Sequence, residues 1–352
     1  MGQVGRYFVL PGGVDDPERP SGGNRYDRAV CDRLDGVHEI AVPGSWPRPS
    51  ERQARALDAA LGDIPEMSDV VMDGLVGCGV PDVVEAAARR GLRVVMVVHL
   101  PLGDESADAA DLVPLERRAL HASAAVVVTS EQAARRVVEL HELPENKVFV
   151  APPGVDPAPV AEPSPGGGRL LCVAALSHRK GQDVLMRALA TLGDLEWTCT
   201  FVGAGTPPDL AALGGPDDGA AAVDLGGRVV FAGAKGGAEL DAAYAGADLL
   251  VLPSRAETYG MVVTEALARG VPVLGTQVSG VPEALGAAPD GTAPGRLVAP
   301  GDPGALATAL REWLTDGTLR ERWRAAARAR RETLRGWDET TRLLSEVLGH
   351  DG

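Results

Sequence analysis

Aromatic residues and cysteines are scarce in this chain of 352 residues, with aromatics at 4% and only four cysteines. The cysteines are widely spaced and form no C-x-x-C pair, which argues against both a zinc site and a redox pair. We therefore expect buried free thiols at Cys31, Cys78, Cys172 and Cys199.

Basic residues are also few, since 34 Lys and Arg stand against 49 Asp and Glu and the formal net charge is -15. This balance disfavours nucleic acid as a partner, because phosphate binding needs a basic stripe. The first 160 residues show no Lys/Arg cluster of the kind that docks on a membrane. No apolar run approaches the roughly 18 residues that span a bilayer, and the start resembles a strand rather than a signal peptide. We expect a soluble cytoplasmic protein.

The chain does have the length for two domains and enough apolar residues, 45%, to fill two cores. Short apolar runs alternate with helical segments such as Arg25–Leu34, Ser50–Leu61, Pro81–Arg90 and Ser130–Leu140. This alternation predicts parallel βαβ units in doubly wound α/β sheets. The predicted strands are Tyr7–Leu10, Val37–Val42, Asp69–Met72, Arg93–Val98, Ala125–Val128, Val148–Val150, Leu170–Ala174, Cys199–Val202, Arg228–Phe231, Asp248–Leu252, Pro272–Gly275 and Gly295–Val298.

Segments rich in Pro and Gly, 151–157 and 162–168, separate the two halves and indicate a linker. We place the domains at residues 1–160 and 161–336. Two Rossmann-like domains would face a central cleft, where the ligands of open α/β sheets bind. The chain then becomes strongly helical over Leu319–Arg335 and Trp337–Leu348, with Gly336 as a kink or break. The final segment, 337–352, could pack on either domain.

Two carboxylates, Glu257 and Glu265, stand eight positions apart in the second half. The pattern around them is typical of a strand end, a tight loop and a helix that starts near Gly260. Such a start would offer the unpaired amides of Gly260, Met261 and Val262 to a phosphate. One carboxylate on each side would accept hydrogen bonds from the paired hydroxyls of a sugar and a ribose. The alternative is a capping Glu and a surface Glu.

Two further turns of the second half carry residues suited to a phosphate. Arg179 and Lys180 form a basic pair at a strand-to-helix turn, where they could neutralise a diphosphate. The alternative is a solvated basic turn. Gly203 and Gly205 form a G-x-G after another predicted strand, although an ordinary tight turn fits equally well.

The first half offers two weaker signals. The Ser21–Asn24 loop follows the first predicted strand and precedes a helix, and its glycines could approach a phosphate; a flexible connector fits as well. His99 closes the strand Arg93–Val98 and would face the cleft. A core or capping histidine is the alternative.

Together these segments resemble the retaining glycosyltransferases of family 4, also called glycosyl transferases group 1, which have the two-Rossmann GT-B architecture. The resemblance is strongest from Val150 to Glu283, and its collinear order favours the functional interpretation of each segment over its alternative. It implies that the final helix, from Trp337, crosses back to the first domain. The matching segments are Pro153–Asp156, Lys180-Gly181, Val202–Gly205, Arg228–Gly233, Ala247-Asp248, Val251–Ser254, the pair Glu257 and Glu265, Gly270–Val273 and Gly280–Glu283.

The resemblance also implies roles for single residues. Glu257 would contact the hydroxyls of the donor sugar and Glu265 the ribose, while Lys180 would bind the diphosphate. His99 would lie beside the donor sugar and the acceptor. The catalytic candidates are thus His99, Lys180 and Glu257. The donor-binding candidates are Gly23, Asn24, Arg179, Lys180, Gly203, Gly205, Gly233, Glu257, Tyr259, Gly260, Met261, Val262 and Glu265.

This sequence departs from the family pattern where the family often has Gly-Arg before the Lys-Gly turn. Ala174 and Ala175 occupy those positions, so a second diphosphate cation is missing. Either Arg179 or Arg255 is the candidate substitute, and we favour Arg179 because it adjoins Lys180.

The resemblance implies transfer of a hexose-type sugar with retention from a nucleotide-diphosphate donor, with UDP favoured, and without a metal or other cofactor. The absence of basic clusters favours a small-molecule acceptor over a lipid, and the oligomeric state is not predicted. Two other functions fit the same architecture. One is a sugar-nucleotide 2-epimerase, which would need further acid/base carboxylates. The other is a nucleotide-sugar-binding protein without turnover, for which Ala175 is a hint.

Overall fold

A computed structural model describes residues 5–16, 21–104, 107–207 and 225–349. The first half of the chain folds around a parallel sheet of order β2-β1-β3-β4-β5-β6. Its strands are β1 (Arg6–Pro11), β2 (Val37–Val42), β3 (Asp69–Asp73), β4 (Arg93–Val98), β5 (Ala125–Val128) and β6 (Val148–Val150). The helices of this half are α1 (Gly22–Cys31), α2 (Glu51–Gly62), α3 (Gly74–Gly77), α4 (Pro81–Arg89), α5 (Val113–Ala122) and α6 (Glu131–His141).

The second half folds around another parallel sheet, of order β12-β11-β10-β7-β8-β9. Its strands are β7 (Arg169–Val173), β8 (Thr198–Val202), β9 (Val229–Phe231), β10 (Leu249–Leu252), β11 (Val273–Thr276) and β12 (Gly295–Val298). The helices are α7 (Gln182–Ala190), α8 (Gly237–Ala245), α9 (Met261–Ala268), α10 (Val281–Leu285), α11 (Pro303–Thr315) and α12 (Gly317–Arg331), and α13 (Trp337–Gly349) ends the described chain.

All twelve predicted strands are confirmed, each with bounds within one residue. The central strands are buried on both faces, as β4 shows: its residues from Val94 to Val98 are at most 2% exposed. Strands covered on both faces read as continuous apolar runs, which is why the sequence revealed them. The four cysteines are buried free thiols, as expected. Within the described residues no helix is both long and apolar enough to cross a membrane.

Helix α1 begins earlier than predicted. Ser21 is its N-cap, with Oγ accepting the N–H of Asn24 at 3.0 Å, so Gly22, Gly23 and Asn24 form the first helical turn rather than a loop. The prediction was wrong because two adjacent glycines argue against a helix, whereas the serine cap stabilises this start. The prediction for the long C-terminal helix was also wrong at its end, since α12 stops at Arg331.

Residue contacts divide the chain into two compact units. The described part of the first unit is 5–16, 21–154 and 335–349, and that of the second is 155–334 with the gap at 208–224. Helix α13 belongs to the first unit. There Trp337 packs edge-on against Tyr26, with ring centroids 5.9 Å apart, and the Thr340 hydroxyl donates to the Pro152 carbonyl at 2.7 Å.

Asp248 is a buried carboxylate that ties the segment before β7 to the start of β10. Its oxygens accept the Ser164 amide at 2.6 Å, the Ser164 hydroxyl at 2.5 Å and the Arg169 amide at 2.9 Å, and Arg324 lies 3.5 Å away. Burial raises the pKa of Asp248, but the hydrogen bonds from Ser164 and Arg169 outweigh burial and leave the pKa below its usual value. The ionised Asp248 therefore stabilises the folded state above about pH 4. This stabilisation is lost as the pH falls through the pKa of Asp248 in the folded protein.

We predict that Asp248→Asn lowers the free energy of unfolding by about 3 kcal/mol, because it leaves two arginines near a buried site without their carboxylate. Urea unfolding at neutral pH measures this. The control is Asp241→Asn, which removes the exposed partner of Arg269 and should cost less than about 1 kcal/mol. Equal losses in the two variants would contradict the account.

Candidate functional site

Lys180 and Glu257 form a mostly buried ion pair in the second unit. Lys180 ends the 3₁₀ turn His178–Lys180, and Glu257 lies in the loop between β10 and α9. The Lys180 Nζ is 2.5 Å from Glu257 Oε1, and the two side chains are 17% and 9% exposed. The sequence placed these two residues in one site, and the structure adds that they contact each other directly.

A serine that the sequence reasoning missed completes this pair. The Ser254 hydroxyl, which is fully buried, donates to the same Glu257 Oε1 at 2.8 Å. The Ser254 carbonyl in turn accepts the Thr276 hydroxyl at 2.5 Å, which ties the loop to the end of β11. Oε1 of Glu257 is thus held by two donors. Within the described part of the chain its other oxygen, Oε2, has no hydrogen bond and is not fully buried.

Helix α9 starts directly after this loop, as predicted. Gly260 is its N-cap with φ +86°, a conformation that costs an L residue energy and glycine very little. Among the residues that the structure describes, no side chain caps this end. The first amides of a helix have no intrahelical acceptor, so those of Met261 and Val262 point out of the helix and can bind an anion. Tyr259, just before the cap, is buried in the apolar cluster of this unit.

Glu265 lies in the second turn of α9 and is 6% exposed. The Tyr244 hydroxyl, from the end of α8, donates to Glu265 Oε2 at 2.6 Å. Tyr244 is itself buried beneath the Arg269 guanidinium, which lies 4.8 Å from the ring centroid. The carboxylate is therefore held in place by a neutral donor. Nothing in the sequence pointed to Tyr244, because 21 residues separate the partners.

The structure distinguishes the two arginines that could supply a second cation. Arg255 forms a bidentate pair with Asp183, with N–O distances of 2.6 and 2.7 Å, and also donates to the His178 carbonyl. Its charge is therefore already neutralised. Arg179 donates to the Ala256 carbonyl over a long distance, 3.4 Å.

Glycines bring the turns of this sheet close together. Gly203 directly follows β8, and a Cβ at this position would lie 1.9 Å from the Ala174 carbonyl, so only glycine fits. The Gly203 amide donates to the carbonyl of Gly233 at 2.9 Å, and Gly205 lies two residues further on. The turn that follows Ala175 is fixed by Gln182, whose amide donates to the Ala175 carbonyl at 3.0 Å. The structure thus brings together three of the four predicted glycines of the second unit.

In the first unit His99 follows β4 and contacts a carboxyl group that the sequence reasoning missed. His99 Nε2 is 2.7 Å from Asp27 Oδ1, and Asp73, the last residue of β3, lies next to both. Burial lowers the pKa of His99 and raises the pKa values of Asp27 and Asp73. Gly23 adjoins this histidine, since a Cβ on Gly23 would lie 2.9 Å from His99 Cδ2. Asn24 points elsewhere, with its amide donating to the Gly13 carbonyl at 3.4 Å.

The group of Asp27, Asp73 and His99 is also the one set of side chains among the described residues that could hold a metal ion, since its possible ligand atoms lie within 4.8 Å of one another. Their geometry fits a hydrogen-bonded cluster better. The Nε2 to Oδ1 distance of 2.7 Å is that of a direct hydrogen bond, which leaves no room for an ion between those two atoms.

Two family models match the chain and together cover residues 22–330. The model described as Glycosyltransferase Family 4 matches residues 22–159, and the model described as Glycosyl transferases group 1 matches residues 159–330.

The curated relatives include D-inositol 3-phosphate glycosyltransferases. The protein of that name from Kineococcus radiotolerans is 31% identical over 261 residues, which are 66% of this chain and 58% of the relative. The one from Streptomyces avermitilis is 30% identical over 292 residues, 74% of this chain and 61% of the relative. The matches therefore span about three fifths of the length of these relatives.

Solved structures share the fold over almost the whole chain. Sucrose-phosphate synthase from Thermosynechococcus elongatus superposes with a TM-score of 0.76 at 20% identity, covering 99% of this chain and 98% of the other. Anabaena HepE, in complex with UDP and glucose, gives 0.74 at 18% identity, with 99% and 100% covered. At these identities the likeness concerns the fold, which is GT-B.

We predict that Tyr244→Phe lowers the free energy of unfolding by about 2 kcal/mol, because the buried Glu265 carboxylate loses a hydrogen bond. Urea unfolding measures the change. Tyr7→Phe is the matched control, since the Tyr7 hydroxyl has no hydrogen bond within the part of the chain that the structure describes. If the two variants were equally stable, the Tyr244–Glu265 contact would contribute nothing.

Proposed function

The chain belongs to the glycosyl transferases group 1 family, and on that premise we propose that it transfers a hexose-type sugar from a nucleotide-diphosphate donor to a hydroxyl of a small acceptor. The observation that carries the proposal is the convergence of Lys180 and Ser254 on one oxygen of Glu257, beside the uncapped start of α9. A cation, a helix N-terminus and a fixed carboxylate therefore lie close together in the second unit.

The diphosphate of the donor needs positive charge and N–H donors, and this part of the second unit has both. The amides at the start of α9 can bind phosphate oxygens, and Lys180 supplies a cation within reach of the same loop. Arg179 is the second cation in this proposal, because Arg255 is already neutralised by Asp183. Charge stabilisation by these residues replaces the metal ion that many transferases use, so we propose metal-independent transfer.

The two carboxylates recognise hydroxyls in this proposal. Oε1 of Glu257 is occupied by Lys180 and Ser254, so Oε2 is the oxygen that accepts from the hydroxyls of the donor sugar. Glu265 accepts from the ribose. Held carboxylates of this kind bind paired hydroxyls with charge-assisted hydrogen bonds and lose little side-chain entropy in doing so.

The proposed chemistry proceeds with retention of the anomeric configuration. The bond between the anomeric carbon and the diphosphate oxygen breaks, and the acceptor oxygen attacks the same face of the sugar. The proton of the acceptor hydroxyl passes to the departing phosphate, so no side-chain base is required. Lys180 stabilises the negative charge that develops on the leaving group.

UDP is the favoured nucleotide, which is supported by the UDP bound to HepE of the same fold. The names of the curated relatives make D-inositol 3-phosphate the first small acceptor to test. An acceptor of this kind is a water-soluble polyol phosphate rather than a lipid.

We predict that a panel of nucleotide sugars and polyol acceptors reveals sugar transfer, and that Lys180→Met lowers kcat/KM for the best donor by about 100-fold or more. NMR of the product's anomeric proton reports retention, and activity should persist in EDTA. Lys147→Met is the control variant, because Lys147 lies in the first unit and donates to the His121 carbonyl.

Three outcomes would contradict the proposal. An epimerised donor would indicate a 2-epimerase, and tight donor binding without any turnover would indicate a binding protein. Equal activity of Lys180→Met and Lys147→Met would remove Lys180 from the reaction.

A further inference from the structure

Two carboxyl groups that sugar transfer does not itself require lie beside His99 in the first unit. Asp27 comes from α1, Asp73 ends β3, and His99 follows β4, so three elements bring the cluster to the carboxyl edge of the first sheet. Asp27 is 0% exposed and Asp73 is 2% exposed. Buried carboxyl groups are costly unless they are paired, so their persistence here calls for a physical explanation.

Two buried carboxyl groups this close do not both carry a charge. Burial in a poorly solvating environment favours the neutral acid, and a neighbouring negative charge favours it further. Burial raises the pKa values of both groups, and the charge of Asp27 raises the pKa of Asp73 further, whereas the hydrogen bond from Asp73 lowers the pKa of Asp27. The two groups therefore titrate as a pair, which holds one proton near neutral pH.

The hydrogen bonds indicate which group carries the proton. Asp73 Oδ1 accepts the Leu75 amide at 2.7 Å, and Asp27 Oδ1 is 2.7 Å from His99 Nε2. Asp27 Oδ2 is buried and has no donor other than an acidic proton within the described residues. A proton on Asp73, donated to Asp27, satisfies that oxygen and leaves Asp27 ionised.

The other ionisable groups near the cluster do not change this balance. Arg28 follows Asp27 in α1 and pairs with Asp15 and Glu39, each at 2.7 Å; its charge lowers the pKa of Asp27, which also favours the ionised form of Asp27. Burial raises the pKa values of Tyr26 and Cys78, which therefore stay neutral.

The ring of His99 is fixed in orientation. Tyr26 packs against it edge-on at 5.0 Å between centroids, and Gly23 lies close to its Cδ2 edge. Nδ1 has no hydrogen bond among the described residues and is not a fully buried atom there, since the side chain is 17% exposed.

We propose that Asp27 and Asp73 are positioning residues that share one proton and hold His99 as the neutral tautomer, with Nε2–H donated to Asp27 and Nδ1 open as an acceptor. If the proposed sugar transfer is correct, the group bound at His99 is a substrate hydroxyl, because an unprotonated Nδ1 accepts a hydrogen bond and cannot donate one to a phosphate.

The tautomer can be read without any substrate. Long-range ¹H–¹⁵N NMR of the full chain labelled at histidine, with His99→Gln for assignment, should show a protonated Nε2 and an unprotonated Nδ1 across roughly pH 6 to 8. A doubly protonated ring at neutral pH, or the opposite tautomer, would overturn the proposal.

The shared proton has its own signature. The infrared band of a protonated carboxyl group should be present at neutral pH, lost in Asp73→Asn and kept in the control Asp69→Asn, whose carboxylate pairs with Arg93 at 3.2 Å. Asp73→Asn should keep the His99 tautomer, because its amide N–H can donate to Asp27 as the acid does. Absence of the infrared band in the wild type would overturn the proposal. A change in the NMR spectrum of His99 on addition of Zn²⁺, or on removal of a metal by EDTA, would also overturn it.

Kinetics separates positioning from folding. Asp27→Asn should lower kcat/KM by about tenfold, the equivalent of one hydrogen bond, while UDP affinity stays unchanged and the control Asp69→Asn keeps wild-type kcat/KM. Equal kcat/KM in Asp27→Asn and wild type would remove Asp27 from positioning. If no sugar transfer is found, the proposed function fails, while the two spectroscopic results still decide the proton-sharing claim.

Discussion

Within each sheet all strands run in the same direction, and this constraint brings their carboxyl ends to one edge. The residues that we assign to binding follow those ends: Lys180 comes after β7, Gly203 directly follows β8, and Glu257 follows β10. In the first unit Asp73 ends β3 and His99 directly follows the adjacent strand β4. Because these turns are buried, each charged or polar group must find a partner, and the ion pair of Lys180 and Glu257 is the consequence.

The strands could be predicted from the sequence because buried parallel strands are continuous apolar runs, as β4 and β10 are. The candidate donor residues were also predictable in kind, since Glu257, Gly260 and Glu265 lie within nine positions of one another and their spacing reflects one loop and one helix. The family resemblance then assigned them roles. These roles remain proposals for this chain.

Contacts between residues that lie far apart in the sequence could not be predicted. Glu257 and its partner Lys180 are 77 residues apart, and Glu265 and Tyr244 are 21 apart. Asp27 looks like the polar face of an amphipathic helix, so nothing marked it as buried. The serine cap of α1 was also missed because the glycines after it outweighed it.

The proposed function requires that the second unit binds a nucleoside diphosphate through Lys180 and the start of α9. Calorimetric titration of the wild type with UDP and with UMP tests this most directly, because the two ligands differ only in the terminal phosphate. The account predicts that UDP binds about tenfold or more tightly than UMP, and that Lys180→Met removes most of this difference. Equal affinities for UDP and UMP in the wild type would contradict it.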